Sequence, residues 1–351
     1  MKKQVGTMDI QKVGNAISYL RKRAGYTQRD IADRIGISDK AVSKWERGLG
    51  LPDISYLGKL SILLDTDSDS LLAGDVIHHD IRWHGVLILS NNSYGIDSST
   101  IIFDKPLVYY LLSYFLLVGI KRILIVCSPQ DIMYISSEFG DGRKLGIELI
   151  CCELGLKKAI EDNYFNCSNA MIVFGRSLIY GVDQTRFFQR ALTNKDRMTI
   201  LAMPQKANLC SNRIIFDENK KVVNSNDGEP IRTQYDYCHI PVLFCPKKNI
   251  FDIAFDADVS LYLSTYAAKN ELYAEILDRG FVEIPIDTWD DVHEASTFVK
   301  IVQKVCGMNI YCIEEVAWRR GMINKEQLRS LGKQKSDTEY GRYILSLCEK
   351  I

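Results

Sequence analysis

Long apolar runs, a net charge and paired cysteines are all missing from this chain of 351 residues. A membrane-spanning helix needs about 20 consecutive apolar residues. The nearest candidate, residues 107–120, contains tyrosines and ends at Lys121 and Arg122. The first residues lead into no apolar segment of the kind that a secretory signal contains. We therefore expect a cytoplasmic protein that does not contact a membrane.

The ten cysteines are scattered, and no pair has the C-x-x-C spacing. Zinc sites and redox-active dithiols are recognised by such spacings. Most of the cysteines therefore read as reduced core residues, and we expect neither a bound metal ion nor a cofactor.

The absence of net charge hides an uneven distribution. The chain has 44 Lys and Arg against 44 Asp and Glu, but residues 1–50 hold eleven basic and five acidic side chains. Residues 51–75 are acidic instead, with five Asp against Lys59. A polyanion would therefore bind at the N-terminus.

The apolar pattern divides the chain into four parts. Residues 9–73 repeat apolar positions at helical spacing, and residues 74–84 read as a linker. From residue 85 to residue 305, strand-length apolar runs alternate with helical stretches, and residues 306–351 form a helical tail of the same domain. This order predicts an all-α domain followed by an α/β doubly wound, Rossmann-like domain with a mostly parallel sheet.

The N-terminal motif is T-Q-x-x-I-A, then G-I-S, then S-K-W-E-R-G, from Thr27 to Gly48. Two short helices joined by a turn that contains glycine are the helix-turn-helix arrangement, whose second helix enters the major groove of DNA. The segment resembles the Cro and phage-repressor class of helix-turn-helix domains, which binds paired half-sites as dimers. Trp45 is predicted to fill the core behind the second helix. The predicted DNA contacts are Gln28, Ser38, Asp39, Lys40, Ser43, Lys44 and Arg47.

The rest of the chain carries the runs FDKPLVYYLLSYFLLVGIKRILIVCSPQD, FGDGRKLGIEL, EEVAWRRGMINKEQLRSLG and EYGRYILSL. These runs resemble the sugar-1-phosphate nucleotidyltransferases, most of all the glucose-1-phosphate thymidylyltransferases. The resemblance implies a glycine-rich loop for the triphosphate, two lysines for phosphate groups and two carboxylates for Mg²⁺.

The loop and the first lysine of that family are replaced here. The family's loop reads L-A-G-G-x-G-T-R-L, in which glycines let backbone N–H groups approach phosphate and an arginine balances its charge. Ser90, Asn91 and Asn92 stand at this loop, and Gly95 takes the arginine position. Counting back from Asp104 puts Asp97 at the position of the catalytic lysine.

The metal and sugar-phosphate positions differ as well. Arg176 replaces the magnesium-binding aspartate, and arginine has no acceptor for a metal. Glu229 stands at the second lysine position, and Pro241 replaces a family glycine. Asp287 stands at the position of the family's second metal-binding carboxylate, and it is the one of these residues that is retained. We therefore expect no catalytic residues and no metal, and hence a pseudoenzyme.

These observations predict a sequence-specific transcription regulator that binds a double-stranded DNA operator. The degenerate domain would sense a nucleotide or nucleotide-sugar, serve as a scaffold for a homo-oligomer (dimer or tetramer), or bind another protein. The alternative is an active nucleotidyltransferase, acting on dTTP and glucose 1-phosphate, that carries a DNA-binding domain.

Overall fold

The computed structural model describes residues 9–23, 26–64, 71–72, 74, 83–89, 93–153, 169–194, 196–205, 213–223, 236–250 and 259–349. The chain divides into two compact units, Met1–Asp80 and Ile81–Ile351, called unit 1 and unit 2 below.

Unit 1 is helical, and local signals set its helix ends. Its helices are α1 (Ile10–Arg23), α2 (Gln28–Ile35), α3 (Asp39–Glu46) and α4 (Ile54–Leu63). Thr27 and Asp30 form a capping box at the start of α2. Gly36 ends α2 in the left-handed conformation, and Ser38 caps α3 by accepting a hydrogen bond from the N–H of Ala41.

The core of unit 1 joins helices α1 to α4. Trp45 of α3 is 7% exposed, and it packs in one cluster with Ile17 of α1, Ile31 of α2 and Leu60 of α4. The prediction that Trp45 is a core residue is confirmed.

Unit 2 is built on a sheet whose central strands are β1 (Trp83–Ile88), β4 (Arg122–Val126), β5 (Glu148–Cys152) and β6 (Asn169–Phe174). They run parallel in the order β5-β4-β1-β6. The runs of Val, Ile and Leu seen in the sequence form these strands, as expected where both faces of a sheet are covered. Two short strands, β2 (Ile101–Ile102) and β3 (Lys105–Pro106), form a hairpin outside this sheet.

The other half of the sheet is mixed. Strand β11 (Asp236–Pro246) runs antiparallel to β6 and to β8 (Met198–Gln205), and β12 (Leu272–Ile276) pairs parallel with β8. The antiparallel pair β9 (Arg213–Phe216) and β10 (Val222–Val223) extends from β11. A further antiparallel pair is β7 (Ser177–Tyr180) with β13 (Val282–Pro285). The predicted fold class is confirmed, with a mixed sheet in place of a mostly parallel one.

Helices cover the sheet and form the C-terminal part. They are α5 (Leu107–Leu117), α6 (Pro129–Phe139), α7 (Gln184–Thr193), α8 (Lys247–Ile250), α9 (Val259–Ala268), α10 (Trp289–Cys306), α11 (Ile313–Arg319), α12 (Lys325–Gln334) and α13 (Glu339–Glu349). The tail helices pack on α5, whose side chains from Leu107 to Leu116 are all buried. Among the described residues, no helix is both long and apolar enough to cross a membrane.

Candidate functional site

The predicted DNA contacts lie at the start of α2 and along α3. Ser38, Asp39, Lys40, Lys44 and Arg47 are exposed, while Gln28 and Ser43 are half-buried. Lys40 and Lys44 stand four residues apart, so they share one face of the helix. Within the described residues, neither lysine forms an ion pair with a carboxylate. These two ammonium groups are available to a phosphate backbone.

Gln28 has a partner inside the protein. Its amide donates to Glu46 Oε2 at 2.8 Å, and Arg21 donates to both carboxylate oxygens of Glu46, with Nη2 to Oε2 at 3.0 Å. The side chains of Arg21 and Glu46 are 10% and 6% exposed. The three residues therefore link α1, α2 and the end of α3, which holds the α3 surface in place. The role of Gln28 in DNA contact stays a prediction.

The network also shifts the titration of Glu46. Burial alone would raise the pKa of this carboxyl, but hydrogen bonds from Arg21 and Gln28 outweigh burial and hold the pKa below its ordinary value. Glu46 is therefore ionised at neutral pH, and it completes a charged hydrogen-bond network.

In unit 2, the carboxyl ends of β1, β4 and β6 meet at one edge of the sheet. After β1, the chain forms β4 and then β5 on one side of β1. It then crosses to form β6 on the other side of β1, so the strand order changes direction between β1 and β6. The backbone N–H of Gly175, just after β6, donates to the carbonyl of Ile88 at 2.8 Å. In open α/β sheets ligands bind at such a switch point.

Arg176 lies at this switch point, directly after β6, and is 5% exposed. Burial lowers the pKa of its guanidinium, while the nearby carboxylates of Asp131, Asp287 and Asp97 favour the charged form. Because a guanidinium stays protonated in proteins, Arg176 supplies a buried positive charge. Three predicted site residues, Asp97, Arg176 and Asp287, are thus brought together.

Two of the carboxylates are engaged by local hydrogen bonds. Asp97 Oδ1 accepts from the N–H of Ser99 at 2.9 Å and from its hydroxyl at 2.6 Å. Asp131 accepts from the N–H of Ser98 at 2.7 Å and from the hydroxyl of Ser128 at 2.8 Å. The donated hydrogen bonds offset part of the negative charge of Asp97 and Asp131. This edge of the sheet therefore repels an anion less strongly than the same carboxylates would without hydrogen bonds.

Asp131 was not found by sequence reasoning. It lies at the start of α6, where Ser128 caps the helix and Pro129 follows. The sequence signal is the helix start S-P-Q-D, but its proximity to Arg176 depends on the packing of β4 beside β1.

Aromatic side chains border the exposed side of the site. Trp289 Nε1 donates to the carbonyl of Tyr94 at 3.1 Å, and the two side chains are 56% and 59% exposed. Gly95 follows Tyr94 with a φ of 73°, a conformation that favours glycine. Asp287 is exposed and precedes the capping box of α10, formed by Thr288 and Asp291. Ser90, Asn91, Asn92 and Glu229 lie outside the described residues.

The magnesium ion implied by the family resemblance does not fit the described part of this edge. The side chain at the first metal position is the guanidinium of Arg176, which has no lone pair to donate. Within the described ranges, no group of three or more His, Cys, Asp or Glu side chains is arranged to hold a metal ion.

Comparison with known proteins gives the two units different relatives. Residues 17–71 match the family described as helix-turn-helix, HTH_3. The predicted helix-turn-helix domain is therefore confirmed.

The C-terminal region is homologous to glucose-1-phosphate thymidylyltransferases. The protein of that name from Neisseria meningitidis is 29% identical over 262 residues, which are 71% of this chain and 91% of the relative. That from Mycolicibacterium smegmatis is 26% identical over 266 residues, or 71% and 90% of the two chains. A crystal structure from Bacillus anthracis, provisionally assigned to the same enzyme and determined with sucrose, has a TM-score of 0.50 at 12% identity. It covers 62% of this chain and 94% of its own, and it supports the fold.

The expectation that the chain is not an enzyme needs correction. Its homologues are named glucose-1-phosphate thymidylyltransferase over 71% of the chain, which points to an enzyme. Substitutions at motif positions, taken alone, were an insufficient basis for the prediction of a pseudoenzyme.

Proposed function

We propose that this protein is a sequence-specific DNA-binding regulator of transcription, and that unit 2 binds a nucleotide or nucleotide-sugar that modulates its affinity for the operator. The observation that carries the proposal is the exposed cationic face of α3 inside a segment that matches a helix-turn-helix family. The second helix of such a unit enters the major groove, with its N-terminal residues at the base edges.

The roles within α3 divide by chemistry. Lys40, Lys44 and Arg47 contact phosphates, which supplies affinity without sequence information. Ser38, Asp39 and Ser43 lie toward the helix N-terminus or its exposed face and read base edges. Gln28 contributes through Glu46, and its backbone N–H, at the start of α2, is placed for a phosphate.

The ligand assignment is supported by the edge of the sheet in unit 2. A buried guanidinium at the switch point attracts a phosphate, and the exposed rings of Tyr94 and Trp289 offer surfaces on which a base or sugar can stack. The named activity of the relatives makes dTTP, dTDP-glucose and glucose 1-phosphate the first ligands to test.

The DNA proposal is tested on a duplex selected from random sequences with the full chain. The double variant Lys40→Ala/Lys44→Ala should weaken binding and reduce the slope of log affinity against log salt concentration by about 2, because each phosphate contact contributes roughly 0.9. Lys59→Ala is the matched control, since it removes one exposed cation of unit 1 from α4. An unchanged salt slope in the double variant would contradict the assignment.

The ligand proposal is tested by thermal unfolding and calorimetry with those three compounds, with and without Mg²⁺. A ligand at 100 times its Kd should stabilise the protein by about 2.7 kcal/mol. Pyrophosphate release from dTTP and glucose 1-phosphate is measured on the same samples, because the homologues point to an enzyme. Flat curves for every compound would remove the effector role and leave unit 2 as a scaffold for assembly or for another protein.

A further inference from the structure

Arg176 lies among carboxylates that come from three separate segments of unit 2. Asp97 belongs to the segment that follows β1, Asp131 to the first turn of α6, and Asp287 to the connection between β13 and α10. All three carboxylates stabilise the positive charge of the buried guanidinium. These four side chains therefore bring three negative charges and one positive charge to the same edge of the sheet.

Backbone hydrogen bonds hold Arg176 beside the segment of Asp287. The carbonyl of Arg176 accepts from the N–H of Ile286 at 2.7 Å. The antiparallel strands β7 and β13 continue this contact, since Ser177 is paired with Pro285. Arg176 directly precedes Ser177, and Asp287 follows Pro285 by two residues. The two charged residues therefore stand at the same end of this strand pair.

A second set of hydrogen bonds holds the other two carboxylates. Asp131 accepts from the backbone N–H of Ser98 at 2.7 Å, which places the residue after Asp97 against the start of α6. Asp97 in turn accepts from the N–H of Ser99 at 2.9 Å and from its hydroxyl at 2.6 Å. None of these hydrogen bonds uses Arg176, so this set of oxygen atoms can survive the replacement of the arginine.

Carboxylates gathered from several segments are the usual protein ligands of Mg²⁺, Mn²⁺ and Ca²⁺. The family resemblance assigns metal-binding carboxylates to positions 176 and 287, but the side chain at position 176 is a guanidinium. A guanidinium has five donors, a permanent charge and no lone pair, so it compensates carboxylates and excludes a metal ion from the same place. A positive charge is therefore kept at this position, but it is covalently attached to the chain.

We propose that the Arg176 guanidinium is a built-in cation that stands in place of a divalent metal ion at the carboxyl end of β6. Its charge compensates Asp97, Asp131 and Asp287 at every concentration of metal ion, because it cannot dissociate from the chain. Removal of the guanidinium uncovers a latent site for a divalent cation. The proposal concerns this edge of the sheet by itself, and it does not depend on the proposed binding of a nucleotide or of DNA.

A different role for the same side chain leads to a different expectation. If Arg176 only filled space or paired with one carboxylate, its replacement would change the stability of unit 2 and would create no affinity for a metal ion. As a substitute for a metal ion, the guanidinium also suppresses the binding of divalent cations, both by its charge and by its place between the carboxylates. The binding of a metal ion alone therefore separates the two roles.

The test is a titration of the full chain with Mn²⁺, followed by the electron paramagnetic resonance signal of the free ion. Arg176→Asp removes the cation and adds a carboxylate, so it should bind Mn²⁺ with a Kd of about 1 mM or lower, as weak sites of oxygen ligands do. Its affinity should exceed that of the wild type by roughly tenfold or more. Arg176→Met only removes the cation and should show a smaller gain, whereas Arg176→Lys keeps a cation and should show none.

Arg329→Asp is the matched control, because it makes the same change of charge at an exposed position on α12. It should bind Mn²⁺ as the wild type does. Thermal unfolding shows whether each variant folds, and Mn²⁺ in place of EDTA should raise the Tm of Arg176→Asp and of Arg176→Met but not that of the wild type. If Arg176→Asp does not fold in either solution, the response of Arg176→Met decides. A wild type that binds as tightly as the position-176 variants, or a gain no larger than that of Arg329→Asp, would overturn the proposal.

A second measurement locates the bound ion. Arg176→Asp/Asp287→Asn should bind Mn²⁺ roughly tenfold more weakly than Arg176→Asp alone, because one carboxylate ligand is lost. Asp337→Asn in the same background removes an exposed carboxylate between α12 and α13, and it should leave the Kd unchanged. Equal Kd values for the two double variants would place the ion elsewhere and contradict the proposal.

Discussion

At the scale of single residues, Arg176 combines a permanent charge with burial, and a charged side chain is costly to bury unless other groups compensate it. It is 5% exposed, and burial lowers its pKa, yet three carboxylates around it favour the charged form. Removal of the guanidinium would leave Asp97, Asp131 and Asp287 as like charges at one edge of the sheet. The cation therefore balances part of the carboxylate charge at this edge.

Replacement of Arg176 by methionine should weaken the binding of whichever nucleotide unit 2 accepts. A hydrogen bond to a charged group contributes roughly 1.5–3 kcal/mol, so the Kd should rise about 10- to 100-fold. Arg176→Lys keeps the charge without the paired donors and should show a smaller loss. Isothermal titration measures both, with the exposed Arg143→Met as control. Equal affinity in the methionine variant would place the ligand elsewhere.

Glu46 makes the stability of unit 1 depend on pH in a defined direction. Its pKa in the fold is lower than the ordinary value of 4.5. The stabilising contribution is therefore present above the unfolded pKa and is lost as pH falls through the folded pKa. We expect α1 and α3 to lose protection from amide hydrogen exchange as the pH falls below the ordinary pKa of 4.5. Glu46→Gln should be less stable by about 2 kcal/mol at pH 7 and should lack this acid-induced loss.

At the scale of elements, two glycines in helices of unit 1 have opposite surroundings. A Cβ on Gly14 of α1 would lie 2.3 Å from the carbonyl oxygen of Trp45 and 2.9 Å from the N–H nitrogen of Gly48. A Cβ on Gly58 of α4 would meet nothing within 4 Å. Helix propensity alone predicts that alanine stabilises both positions, so the difference isolates the packing of α1 on the end of α3.

Gly58→Ala should stabilise unit 1 by about 1 kcal/mol, the usual gain in a helix interior. Gly14→Ala should destabilise it by roughly 1–3 kcal/mol, because the backbone of α3 must move away. Urea unfolding followed by hydrogen exchange in α1 gives both values. The same sign of change for the two variants would mean that α1 and α3 do not pack as closely as described.

Elements with local signals were predictable, and those set by long-range pairing were not. Thr27 and Ser38 are residue types typical of helix N-caps, Gly36 is typical of a turn, and the structure places all three in these roles. The sequence does not show that β11 runs antiparallel to its neighbours, because a buried apolar run has the same pattern in either strand direction. The strand also carries Pro241, where its register with β8 shifts between Ile240 and Leu243. Proline in a sheet occurs at such irregularities.

The candidate site shows the same division. Motif comparison located Asp97, Arg176 and Asp287, although they are far apart in the sequence. It missed Asp131, whose contact with the Ser98 backbone spans 33 residues and depends on how α6 packs beside the loop after β1.

At the scale of the whole molecule, each unit has its own apolar core. Trp45 and its neighbours form one cluster, and the residues on the two faces of the sheet form two others. Independent cores allow each unit to keep its fold while the other binds a ligand. If unit 2 modulates operator binding, the communication is measured as a coupling free energy between two binding equilibria.

That coupling has to be reciprocal if unit 2 modulates operator binding. When a nucleotide-sugar changes the affinity for the operator by some factor, saturating operator must change the affinity for the nucleotide-sugar by the same factor. Couplings of this kind amount to about 5- to 150-fold. Titration of the ligand with and without operator, and of operator with and without ligand, measures the two factors independently. Arg176→Met should abolish the effect of the ligand on DNA, and Lys40→Ala/Lys44→Ala should reduce the effect of DNA on the ligand. A factor of one in both directions, with both ligands bound, would show that the two units act separately and that any effector signal does not pass through this site.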